Sequence, residues 1–127
     1  MVPYEATTEA ITVIVRPVFL DQPSDFVGGR FVFGYLVRIQ NDGLEDVQLL
    51  RRHWYIGDET GRVREVEGEG VIGEKPVIGP GAFHEYSSYC VLSSFEGWME
   101  GTYLMERASG ERFRAVIPRF DLRAGAN

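Results

Sequence analysis

Apolar and polar residues alternate with a period of two along most of the chain, which predicts strands. The pattern is cleanest from Arg30 to Gln40. There Phe31, Phe33, Tyr35, Val37 and Ile39 fall on one face, with Val32, Gly34, Leu36 and Arg38 on the other. Ahead of it, Ala10 to Leu20 (AITVIVRPVFL) is rich in β-branched residues, and Pro17 inside the run points to an edge strand or a bulge. Asp21 to Gly29 carries Pro, Ser, Asp and a Gly pair, which is loop chemistry. A third strand, Val47 to Gly57, places Leu50, Trp54 and Ile56 on one face and Leu49, Arg51, His53 and Tyr55 on the other. Asp58-Glu59-Thr60-Gly61 closes a hairpin into Arg62 to Glu67, and a glycine-rich loop runs from Gly68 to Pro76. Further strands are predicted over Ala82 to Leu92, Gly97 to Arg107 and Arg112 to Pro118.

No segment keeps a helical period for three turns. About seven short strands with turn signals between them predict an all-β fold, an antiparallel β-sandwich of immunoglobulin-like topology, with a small closed barrel as the rival. One domain spans residues 10–122. Residues 1–9, polar and without period, read as a flexible N-terminal segment, and 123–127 as a flexible tail. A chain of 127 residues buries roughly two-thirds of its unfolded surface, enough for a core without covalent staples.

The formal charge of -6 disfavours nucleic acid, whose phosphates demand clustered positive charge, and an anionic membrane surface alike. Twelve of the thirteen cationic side chains are Arg, and only Lys75 is Lys. Arginine suits forked hydrogen bonds to carboxylates or phosphates, so a local basic patch is compatible with an acidic whole. Cys90 is the only cysteine. With no signal-peptide pattern after Met1 and no apolar window near the ~18 residues of a membrane span, the expected location is the cytoplasm.

Several residue sets could carry chemistry. Gly68-x-Gly70-x-x-Gly73 has the spacing of a dinucleotide fingerprint, but Pro76 and Pro80 forbid the helix such a site needs. A turn of backbone amides there, with Lys75, could still hold a phosphate or nucleotide; a loop needing glycines for positive φ is the plainer reading. Glu65, Glu67 and Glu69 share strand parity and could offer oxygens to a divalent cation, or simply form a solvated face paired to arginines. His53 and His84 are too few for zinc. Ser87, Ser88 and Cys90 lack a base in strand reach: His84 and Cys90 stand about 20 Å apart along one strand, and only an approach of His53 through space could supply one. Arg52 shares the side of Trp54, so its guanidinium approaches the core and needs a partner such as Glu100 or backbone carbonyls. An arginine that staples the two sheets is the plainer reading of Arg52-His53-Trp54, and the alternative is a recognition role for Arg51 and His53 on the outer face.

Arg30 to Gln40 followed by Asn41, then Gln48-Leu49-Leu50-x-Arg52-His53-Trp54, resembles the ApaG family. So do Gly68-x-Gly70-Val71-x-Gly73-Glu74-x-Pro76, Met99-Glu100-Gly101-x-Tyr103-x-Met105, and Phe113 with Ile117-Pro118 and Phe120. The resemblance covers roughly residues 10 to 122, and departs at Tyr89 and Cys90, where small or polar residues are common. It implies a fibronectin type III-like sandwich without an established biochemical activity, linked by name and genetics to cobalt and magnesium efflux. It also implies kinship with interaction domains of F-box and polymerase-associated proteins. Nucleotide or pyrophosphate binding has been suggested for the motif that maps onto Gly68, Gly70 and Gly73.

The expected function is therefore a non-enzymatic module that binds a protein partner, with no cofactor and no nucleic acid, and with homodimerisation through an edge strand compatible with the fold. Tyr55, Phe83, Tyr89 and Phe95 are the candidate anchors, since aromatics concentrate binding energy. The alternative is a small-ligand site at the Gly68–Gly73 loop or on the surface carboxylates.

Overall fold

The structure, a computed structural model, describes residues 3–125. Among these residues nine antiparallel strands form two sheets: β1 (Tyr4–Thr8), β2 (Ile11–Asp25), β3 (Arg30–Asn41), β4 (Val47–Asp58), β5 (Val63–Glu69), β6 (Val77–Ile78), β7 (Phe83–Leu92), β8 (Glu96–Arg107) and β9 (Arg112–Arg123). One sheet has the order β1-β2-β3-β7; the other has the order β5-β4-β8-β9, with β6 added to β4. The two layers make an immunoglobulin-like sandwich, not a closed barrel.

The core comes from the inward parity of each strand. Phe33, Val37 and Ile39 of β3 meet Trp54 of β4, Tyr103 of β8 and Phe120 of β9, all essentially out of solvent. One lateral side is shut: the Tyr4 ring packs tilted against Phe120 with centroids 6.2 Å apart, and the Val116 amide donates to Thr8 Oγ1 at 3.0 Å. On the opposite side β5 and β7, each at the end of its sheet, leave an open flank.

Three expectations are corrected. Residues 4–8 are not loose but form β1, joined to β2 by a turn whose residues Glu9 and Ala10 both have positive φ (46° and 70°). A turn built from Glu and Ala carries none of the Gly or Asn signal that such backbone normally needs. Of the expected flexible termini, residues 1–2 and 126–127 lie outside the described residues, whereas Arg123 ends β9 and Ala124 is buried, its amide donating to Phe95 O at 2.9 Å. Second, β2 runs on to Asp25 through the segment read as loop. Its irregular end is held by Ser24, whose hydroxyl donates to Leu20 O at 2.6 Å and accepts from the Val32 amide at 3.0 Å. Pro17 pairs with Tyr35 but lies past Val15, the last β2 partner of β1, so its missing N–H breaks no bond to β1.

Third, Leu49 is fully buried and Leu50 only partly so, the reverse of the alternation expected. The β4–β8 register shifts between Leu49 and Arg51. One extra residue in a bulge exchanges the two faces. Beyond it Arg52, Trp54 and Ile56 point inward, as the pattern predicts.

Candidate functional site

The open flank between β5 and β7 is where the singled-out residues converge. Arg52 reaches it from β4. Its Nη1 donates to the carbonyls of Glu69 and Gly70, both at 3.0 Å. Backbone carbonyls therefore satisfy the guanidinium, and Glu100 instead pairs with Arg119 at 3.6 Å. The guanidinium also explains Gly68: a Cβ there would lie 2.6–2.8 Å from its atoms. Gly70 combines φ +61° with a Cβ position 2.1 Å from Glu74 O, so no other side chain fits without moving backbone.

Val71 to Glu74 form a two-residue hairpin turn with Ile72 and Gly73 at φ 47° and 74°, closed by Val71 N to Glu74 O (2.8 Å) and Glu74 N to Val71 O (3.0 Å). Gly70 N donates to Leu50 O at 2.8 Å. Three amides of the glycine loop are thus spent inside the fold, which weighs against a phosphate cradle made of them. Lys75 pairs with Glu69 at 3.1 Å.

Behind the turn the sheets enclose a cleft of about 510 Å³ with Arg52, Trp54, Arg64, Tyr86, Ser88 and Cys90 among its walls. Polar groups inside it satisfy one another. The Tyr86 and Tyr103 hydroxyls hydrogen-bond each other, and Tyr35 bonds to Ser88. Burial pushes the hydroxyls of Tyr35, Tyr86 and Tyr103 above the ordinary value near 10. The neutral phenols are thus favoured by the fold, while the unfolded chain ionises near pH 10. Their stabilisation is complete below that pH and is lost as pH rises above it. In an alkaline spectrophotometric titration, three of the six tyrosines are expected to ionise only along with unfolding. Six tyrosines ionising together near pH 10 in folded protein would contradict this.

Among the described residues the nucleophile and base candidates named from the sequence lie apart. Burial raises the Cys90 thiol, and Arg64 Nη2 lies 3.8 Å from its sulfur. A buried thiol held above its normal range is a weak nucleophile. His84 faces Glu74 at 3.9 Å. His53 is on the outer face of the other sheet, where it does not approach Cys90.

On that outer face Glu65, Glu67 and Glu69 project together as the alternation predicts, all exposed. What the sequence does not show is that His53 joins two of them: Nε2 lies 2.9 Å from Glu65 and Nδ1 3.2 Å from Glu67. Their ligand-type atoms sit within 4.8 Å of one another. Only the β4–β5 register, pairing His53 with Glu67, creates that grouping. Glu69 is drawn off to Lys75 and Arg51. Of the aromatic anchors, Tyr89 is 67%, Phe83 50% and Phe95 43% exposed. Tyr55 is half-buried and stacks on His53 at 4.7 Å.

The model of one family, the ApaG domain, matches residues 21–107. The chain belongs to the ApaG family. It is 50% identical over 119 residues to Protein ApaG of Bradyrhizobium sp. (strain ORS 278), covering 94% of this chain and 92% of that one. Protein ApaG of Methylobacterium nodulans is 49% identical over the same shares. A crystal structure of a Bordetella pertussis protein assigned as ApaA superposes with TM-score 0.89 at 39% identity, over 92% of this chain and 95% of that one. The C-terminal domain of wzt shares the fold at TM-score 0.56 and 10% identity, covering 98% of this chain and 79% of that one. Among the described residues no helix is long and apolar enough to cross a membrane.

Proposed function

We propose that this ApaG-family chain is a protein-binding module without a catalytic centre, taking its partner on the outer face of the β1-β2-β3-β7 sheet. The observation that carries this is an apolar patch where polar side chains are the rule. Val18, Leu36 and Tyr89 surround Gly34 on the outward parity of three adjacent strands, and are 42%, 38% and 67% exposed. Arg16, Arg38 and Glu85 flank them, giving an apolar centre with a charged rim. Any influence on cobalt and magnesium efflux would pass through such a partner. The small-ligand alternatives have less behind them: the loop amides are internally bonded, and His53, Glu65 and Glu67 already pair among themselves.

A photo-crosslinking amino acid at Leu36, compared with one at Arg114 on the other sheet, tests the reading in cells. A discrete adduct from position 36 alone is expected. An adduct of the chain with itself would make the face a homodimer contact. Equal smears from both positions would refute a dedicated surface.

A further inference from the structure

The open flank carries a charge pattern that the overall charge of -6 conceals. Of the twelve arginines, Arg38, Arg51, Arg107, Arg112, Arg119 and Arg123 form ion pairs with carboxylates. Among the described residues the other six, Arg16, Arg30, Arg52, Arg62, Arg64 and Arg114, form none within 4.0 Å. Four of those six line one groove. The cleft behind the glycine turn opens at Ile56, Arg64 and Val91 into a second hollow of about 370 Å³, walled by Arg30, Arg62 and Arg64. Among the described residues Asp58 is the one carboxylate in the lining, and the Thr60 hydroxyl (2.6 Å) and the Thr60 and Arg62 amides already bind it.

We infer that this groove takes an extended acidic peptide segment of a protein partner. Three features support that occupant. The guanidiniums are held by neutral acceptors: Arg52 by two carbonyls, Arg64 by Val91 O at 3.1 Å and Arg30 by Pro23 O at 2.9 Å. A carboxylate is a better acceptor, with charge-assisted bonds roughly twice as strong. Next, the groove runs between β5 and β7, both sheet-end strands, and the carbonyls that Arg52 and Arg64 hold there, Glu69 O and Val91 O, would be released for strand addition once a carboxylate takes the guanidiniums. Finally, Arg62 and Arg64 are two residues apart, about 7 Å in extended chain, which is the spacing of alternate side chains on an opposing strand. The ligand so described has acidic residues at every second position, with Trp54, Val66 and Val71 offering apolar wall between the charges. This rests on the protein-binding reading. Tyr89 borders both surfaces, but Arg62 and Arg64 lie on the flank alone and Leu36 on the sheet face alone, so each reading can fail alone.

Fluorescence anisotropy with a labelled ten-residue peptide alternating Glu and Val, at low salt, tests it against the same peptide with Gln for Glu. Binding of the Glu peptide alone is expected, weakened about tenfold for each of Arg62→Gln and Arg64→Gln and unchanged by Arg114→Gln. Both exposed arginines can be changed without removing the partly buried Arg52, and a melting curve checks that each variant stays folded. No binding by the Glu peptide overturns the inference, as does equal loss with Arg114→Gln. Inorganic pyrophosphate is the second probe: arginine-dependent binding of pyrophosphate without the peptide would assign the groove to a small anion and overturn it too.

Discussion

Replacing Gly101 with alanine is expected to destabilise the domain by about 3 kcal/mol or more, through overpacking against backbone that cannot retreat. Gly101 pairs with Trp54 at the centre of β4–β8. A Cβ there would fall 2.0 Å from His53 O, 3.0 Å from its carbonyl carbon and 3.1 Å from Trp54 Cα. All three are main-chain atoms, so no rotamer change relieves the clash; the strands must part or slip. For a domain of this size that corresponds to a fall in Tm of roughly 10 °C, read by circular dichroism. Gly79→Ala is the control. Its nearest atom is the Asp46 carboxylate at 3.4 Å, and its effect should stay within about 0.5 kcal/mol. A Gly101→Ala loss under about 1 kcal/mol would show that the sandwich yields at this point.

Trp54→Ala is expected to cost about 4 kcal/mol, within the range for a buried aromatic truncated to alanine. The indole is 3% exposed. It meets Tyr103 and Phe120 edge-on, with centroids at 6.3 and 6.0 Å, and lies tilted to Tyr35 at 5.4 Å. Those three rings come from β8, β9 and β3, so the deletion loosens both layers at once. Urea unfolding monitored by far-UV circular dichroism gives the value. A loss under about 1.5 kcal/mol would mean that the surrounding rings collapse into the space. Because Trp54 also walls the arginine groove, the Glu-peptide affinity of any folded Trp54→Ala protein should drop with it.

These two sites show how unevenly the fold was legible. Trp54 could be placed inside from alternation alone, because Arg52, Trp54 and Ile56 share parity. The special position of Gly101 could not, since nothing in Met99-Glu100-Gly101 says that a partner strand's carbonyl will sit on its Cα. On β3 the alternation placed Phe31 to Ile39 inward, although Val32 and Gly34 of the outer face are buried as well. It failed at Leu49 and Leu50, where a bulge reverses the faces, because a bulge is set by how two strands fit and leaves a single strand's pattern unmarked. Strand β1 escaped for a related reason: its half-buried residues give a weak period, and a Glu-Ala turn hides the hairpin.

The candidate sites divide the same way. The sequence itself determined that Arg52 turns inward, that Glu65, Glu67 and Glu69 share a face, and that the glycine motif opens no helix. Parity and proline act locally, over a few bonds, and need no partner strand. Tertiary structure decided which groups meet. It gave Arg52 two carbonyls in place of Glu100, brought His53 between Glu65 and Glu67, and aligned Arg30, Arg52, Arg62 and Arg64 along one flank. Those meetings depend on strand register and on which sheet edges are left apart, and both are settled by packing between residues distant in the chain.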